Sequence, residues 1–290
     1  MRASAIQRLG GLLTPALTDL VARELNDPDS LVRLAAVEAL AAAEPRVRHR
    51  YLLRMLADPV RMVRIEAARA LAGEPEALFS DNERASFAKA LAEYVAAQTY
   101  NADRPEGRTS LGNLYAQRGD PGGAIAEYRQ ALALDPTFVP AYANLADLYR
   151  SRGADGEAVA VLREGLARNP RAAILHHALG LALVRQKQKT DSLAELRAAA
   201  ELAPESGRFA YVYAMGLDDA GRTPAALKVL AAAHARHPYD RDVLSALAFL
   251  TVKAGDRATA LQYATRLREL DPENAEYARM AQQIEGGLPR

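Results

Sequence analysis

Residues 111–136 read LGNLYAQRGDPGGAIAEYRQALALDP, and this stretch decides the fold. Leu111, Leu114 and Tyr115 stand at i, i+3 and i+4, which marks one face of a helix. Gly119 follows as a residue free to turn left-handed and end that helix. Ala124, Tyr128 and Ala131 then form the inward face of a second helix, and Asp135-Pro136 opens the next unit. Small residues at 112, 124 and 131 let the two helices approach closely.

The same marks recur at a spacing of 34 residues. Pro136, Pro170, Pro204, Pro238 and Pro272 form one series, and Gly119, Gly153, Lys187, Gly221 and Gly255 a second. Ala124, Ala158, Ser192, Ala226 and Ala260 form a third. Three series with one period define an array of helical hairpins. Lys187 breaks the glycine rule. A non-glycine residue in a left-handed position costs about 1 kcal/mol, so an altered turn is expected over Gln186–Lys189.

This pattern resembles the tetratricopeptide repeat (TPR) family. Leu111, Gly112, Tyr115, Ala124, Tyr128, Ala131 and Pro136 match its signature, and Tyr142, Leu145, Ala146, Tyr149, Ala158, Leu162 and Pro170 repeat it, with Gly165 in place of the second alanine. His176, Leu179, Gly180, Leu183, Ser192, Leu196, Ala199 and Pro204 match more loosely. Leu247, Ala248, Thr251, Ala260, Ala264 and Pro272 form the most degenerate unit.

Ahead of residue 100 the period changes. Asp27-Pro28, Val32-Arg33, Ala36, Ala39 and Leu40 recur 31 residues later as Asp58-Pro59, Val63-Arg64, Ala67, Ala70 and Leu71. This resembles short HEAT-like repeats, in which a turn aspartate meets an arginine on the second helix. One further step back maps Arg33 onto Arg2 and Leu40 onto Leu9. Met1–Leu9 therefore reads as the second helix of a repeat whose first is missing, and the chain is expected to be part of a longer protein.

The expected fold is all-α, a right-handed α-α superhelix (solenoid). HEAT-like repeats occupy 1–72, and a junction over 73–104 holds a lone second-type helix at about 82–98. Five tetratricopeptide repeats follow at 105–272, then a capping helix and tail at 273–290. The linker Gly73–Ser80 is the expected place for a bend.

Composition agrees with this reading and narrows function. The 290 residues include 62 alanines, as closely paired helices require, and neither Cys nor Trp. Without cysteine there is no disulfide, thiolate zinc site or covalent haem attachment. A net charge of +1 attracts neither nucleic acid nor an anionic membrane as a whole, and no apolar run approaches the length of a membrane span. Nucleotide-binding, nucleophile-elbow and zinc-protease motifs are missing, so no catalytic residue, metal or cofactor is assigned and the chain reads as non-enzymatic. His234 and His237 have metal-ligand spacing but no third ligand, and read as a surface pair. Arg46, Arg48, Arg50, Arg54, Arg61 and Arg64 crowd together with Asp58 as the main counter-charge. They form either a basic patch for an acidic partner or a solvated face in which Arg64 pairs with Asp58.

The resemblance implies that the first helix of each repeat lines a concave groove. By register this groove carries Asn113, Asn144, Asp147, His177, Leu181, Tyr211, Met215 and Phe249. Asn113 and Asn144 match the paired asparagines with which some members clamp a C-terminal carboxylate. Thr109, Ile174 and Ala178 stand at the cation positions, so that clamp is incomplete. The distal residues His177, Leu181, Tyr211, Met215 and Phe249 form an apolar strip suited to an amphipathic helix or apolar peptide, unless the C-terminal helix covers it. The function expected is a scaffold that binds a protein or peptide. The junction NERASF…ALAEY…YNADRPE is also similar to the C-terminal region of some bacterial multihaem c-type cytochromes. That resemblance implies instead an accessory module of a larger electron-transfer protein whose haem-binding segments lie upstream of residue 1. The compartment stays open between cytoplasm and periplasm, with a lean to export.

Overall fold

The computed structural model describes residues 2–286, the side chain of Leu12 excepted. Met1 of the expected first helix and 287–290 of the expected tail lie outside the described residues. The described residues form seventeen α-helices and no strand, the all-α class of stacked helical hairpins expected from the periods. Contacts divide the chain into two compact units, Met1–Ala141 and Tyr142–Arg290.

The first unit contains α1 (Arg2–Leu9), α2 (Pro15–Arg23), α3 (Ser30–Leu40), α4 (Pro45–Leu52), α5 (Arg61–Leu71), α6 (Asp81–Tyr100), α7 (Pro105–Gln117) and α8 (Pro121–Leu134), and the boundary falls within α9 (Val139–Ser151). Its core is alanine between leucines: Ala35, Ala36, Ala39, Ala67 and Ala68 are buried among Leu40, Leu52 and Leu71. Such small side chains set helices close enough for dispersion contacts along their whole length. Pro15, Pro45, Pro105 and Pro121 each occupy a first helical turn, where the missing N–H has no partner to lose. Ser80 and Glu83 close a reciprocal capping box at the start of α6. The linker ahead of α6 is anchored. Glu74 and Phe79 are buried, Glu74 Oε2 lies 2.8 Å from His49 Nδ1, and Phe79 packs edge-on against His49 and stacks on Phe87.

The 31-residue period carries an ion-pair ladder that runs forward along the stack. Arg2 reaches Asp27 and Glu24, Arg33 clamps Asp58 through two hydrogen bonds of 2.8 and 3.0 Å, and Arg64 clamps Glu93. This corrects the expected Arg64–Asp58 pair. Arg64 does approach Asp58, but it donates to the backbone carbonyls of Asp58 and Pro59, because the Asp58 carboxylate is already held by Arg33.

The second unit contains α10 (Asp155–Arg168), α11 (Ala173–Arg185), α12 (Lys189–Leu202), α13 (Gly207–Asp219), α14 (Thr223–Arg236), α15 (Arg241–Lys253), α16 (Arg257–Leu270) and α17 (Ala275–Gly286). Its hairpins turn at Gly221 and Gly255, both with φ above +70°. At each, the glycine N–H and the next N–H bond back to the last turn of the helix, as in Gly221 to Asp218 and Arg222 to Leu217. Lys187 does the same. It adopts φ 60°, donates to Val184, and leaves Gln188 to donate to Leu183. The expected altered turn is not formed. Two hydrogen bonds and the packing of α11 on α12 outweigh the cost of one left-handed lysine. Gly165 likewise has a packing reason, since a Cβ there would lie 2.8 Å from the Tyr142 ring.

Candidate functional site: an aromatic and methionine cleft in the second unit

Side chains of α13, α15 and α17 meet at one cleft. Tyr211, Met215, Asp242, Ser245, Phe249 and Met280 line a cavity of about 270 Å³. A second cavity of about 550 Å³ shares Phe249 and Met280 and continues along Val252, Gln283 and Ile284. Phe249 is 57% exposed, although its neighbours on α15, Ala248 and Leu250, are fully buried. An aromatic ring left in water beside two thioethers is surface that another chain can cover. The C-terminal helix leaves Phe249 exposed and contributes Met280 to the lining of both cavities, with Ala281 and Ile284 packed into the core.

The cleft's rim is tied by charge. Lys253 donates to both oxygens of Asp218 at 2.7 and 2.8 Å, and the Thr223 hydroxyl donates to Asp218 at 2.6 Å. The hydrogen bond from Lys253, then that from Thr223, holds the Asp218 carboxyl below its ordinary range despite partial burial. This fixes the last turn of α13 against the last turn of α15, so Tyr211 and Phe249 are presented by helices in a set register.

The remaining groove residues fall differently. His177 is buried at 6% exposure and stacked on Phe209, with ring centroids 4.5 Å apart. The expectation of His177 as an open groove contact is therefore corrected: the next repeat places Phe209 over it. Burial, and then the charge of Arg208, lower its pKa, so the ring is neutral near pH 7. Leu181 is half-buried and lines neither cavity. Asn144 is half-buried on α9, and Asp147 is exposed there and paired with Arg150. In the first unit, exposed Asn113 accepts a 2.7 Å hydrogen bond from Tyr128, so one amide oxygen already serves the fold.

The arginine cluster is largely internal business. Arg48 faces buried Glu74 at 3.6 Å and donates to carbonyls of Ala41 and Ala43, Arg54 donates to Ala22, and Arg61 and Arg64 both engage Glu93. Arg50 lies over the Tyr51 ring, and Arg46 lines the same open cavity beside it. No group of three or more metal-binding side chains exists among the described residues.

Sequence reasoning missed Met280, Ile284 and Val252 as cleft residues. The signal was present, since Met280 and Ile284 stand at i and i+4 on either side of Ala281. It was absorbed in the reading of that helix as a cap.

Comparison with known proteins agrees with this architecture. Models described as TPR repeat or tetratricopeptide repeat match residues 112–150, 144–207, 177–241 and 219–284, an unbroken run over more than half of the chain. The chain belongs to the tetratricopeptide repeat family. Among solved structures it is similar to pilF of Pseudomonas aeruginosa, with 19% identity, a TM-score of 0.54 and coverage of 76% of this chain and 99% of that one. It is also similar to a MamA protein, at 21% identity and a TM-score of 0.50 over 60% of this chain and 94% of that one. MamA from Desulfovibrio magneticus RS-1 gives 19% identity and a TM-score of 0.50 over 59% and 97%. At such identities the likeness is one of fold. No curated protein sequence matches the chain. The fold is that of a protein-interaction scaffold, and such arrays take protein or peptide partners and are typically non-enzymatic. No helix among the described residues is long and apolar enough to cross a membrane.

Proposed function

We propose that the chain is a non-enzymatic scaffold that holds an apolar segment of a partner protein in the cleft of its second unit. Tyr211, Met215, Phe249 and Met280 are the contacts of this reading, with Asn144, Asp147 and Leu181 as further candidate positions of the same unit. The exposed Phe249 ring between two methionines carries the argument, because the fold itself gains nothing from leaving it in water. Thioether side chains repack around different apolar shapes, which suits an amphipathic helix laid along α13 and α15.

The test is peptide-library selection on the immobilised full chain. Selected sequences should carry apolar residues at helical spacing, and Phe249→Ala with Met215→Ala should weaken their binding about tenfold or more, with Phe249→Ala alone leaving thermal unfolding unchanged. Selection of peptides that ignore both substitutions would overturn the reading.

A further inference from the structure

We propose that the smaller cavity of the cleft is a subsite for one cationic side chain, a lysine or arginine, on the bound partner segment. The inference rests on the cleft binding a segment at all. Its walls are the rings of Tyr211 and Phe249 and the thioethers of Met215 and Met280, and its one charged lining residue is Asp242. Aromatic faces attract a cation, an aliphatic stem packs against thioethers, and a carboxylate at the mouth receives the charged head. A cavity of about 270 Å³ lies just under the size range of whole-ligand pockets, about 300–1,000 Å³, and fits a single inserted side chain.

The cations on the same helix are already spent. Arg241 pairs with Asp271 at 3.2 Å, and Lys253 is held by Asp218. Asp242 has no ion pair among the described residues. Capping does not explain it either, since Asp240 accepts from the Val243 N–H and serves as the cap of α15. Asp242 therefore gains from the helix N-terminus and stands as an exposed carboxylate in the lining of the cavity. The larger cavity differs, for it is lined by two cations, Lys253 and Arg279, against one anion, Glu276, and offers a basic side chain no net attraction. Charge complementarity thus selects a partner with a base at one end of its apolar face.

Three amphipathic helical peptides with one common leucine and methionine face test this, bearing Arg, Gln or Glu at the position that meets Tyr211. Affinity for the full chain is read by fluorescence anisotropy. The Arg peptide should bind about tenfold tighter than the Gln peptide, with the Glu peptide weakest, and the margin should shrink at high salt. Asp242→Asn should erase the margin and leave the Gln peptide's affinity in place, whereas Phe249→Ala should weaken all three. Equal binding of Arg and Gln peptides, or a margin that survives Asp242→Asn, overturns the cation subsite and leaves the cleft reading standing. Failure of all three peptides to bind overturns both.

Discussion

Arg33 clamps Asp58 with two parallel hydrogen bonds of 2.8 and 3.0 Å, joining α3 to the loop that starts the next repeat. Both side chains are withdrawn from water, at 11% and 4% exposure. Asp58 also accepts from the Val60 N–H. Burial alone would raise its pKa, but the hydrogen bonds from Arg33 and Val60 and the charges of Arg33 and Arg64 hold it below the usual carboxylate range. Removing one partner of such a pair strands the other, which typically costs about 3–5 kcal/mol. Asp58→Ala should therefore lower the denaturation midpoint of the first unit. Because the folded pKa is depressed, the carboxylate's stabilisation is complete above about pH 4 and lost as pH falls through the lower value. Urea melts from pH 6 down to pH 3 should show a shallower acid loss in Asp58→Ala than in the wild-type chain, and parallel curves would count against the ladder.

Lys187 occupies the left-handed turn position that glycine fills in every other repeat, at φ 60°. It forms the same pair of return hydrogen bonds, so a glycine would keep every contact and shed the Cβ clash. Lys187→Gly should stabilise the second unit by about 1 kcal/mol, seen as a higher melting temperature. Gly153→Lys, placed in the equivalent turn, should do the reverse.

Much of the fold could be read from sequence because its rules are local and repeated. Left-handed turns demand glycine, close helix pairs demand alanine, and both recur every 34 residues. What could not be read depends on distances between elements. Whether Arg64 chooses Asp58 or Glu93 is settled by Arg33 arriving first at Asp58. Helical register placed His177 toward the groove, but only the path of α13 shows Phe209 lying over it. Lys187 departs from its local rule for a related reason, since strain alone predicts an altered turn and the packing of α11 on α12 absorbs it.

Gly112 lets Tyr128 cross α7 at close range. A Cβ at 112 would lie 2.5 Å from the Tyr128 ring, which is buried and hydrogen-bonded to Asn113. Gly112→Ala should cost about 1–3 kcal/mol by overpacking, although alanine is the better helix former. Gly216 makes the contrast. Its nearest neighbour would be the end of Leu193 at 3.1 Å, a flexible tip that can yield. Gly216→Ala should therefore be neutral or stabilising by up to about 1 kcal/mol. Matching losses at both sites would show that helix propensity and contact geometry had been weighed wrongly.

His177 makes a distinct pH prediction. Neither of its ring nitrogens has a hydrogen-bond partner among the described residues, and burial followed by the nearby charge of Arg208 pushes its pKa below 6.5. The folded chain thus takes up this proton later than the unfolded chain. Stability is complete above about pH 6.5 and falls as pH drops from there to the lowered folded pKa, below which both states are protonated and the loss stops. His177→Phe keeps a planar ring on Phe209 and has nothing to titrate. It should match or exceed wild-type stability at pH 8, by about 1 kcal/mol where unpaired buried nitrogens are removed. The measurement is the difference between the two chains' urea midpoints at pH 8 and pH 5. That difference should widen at pH 5, because only the wild-type chain must pay to charge a ring wedged between α11 and Phe209, and a constant difference would place His177 in contact with water after all.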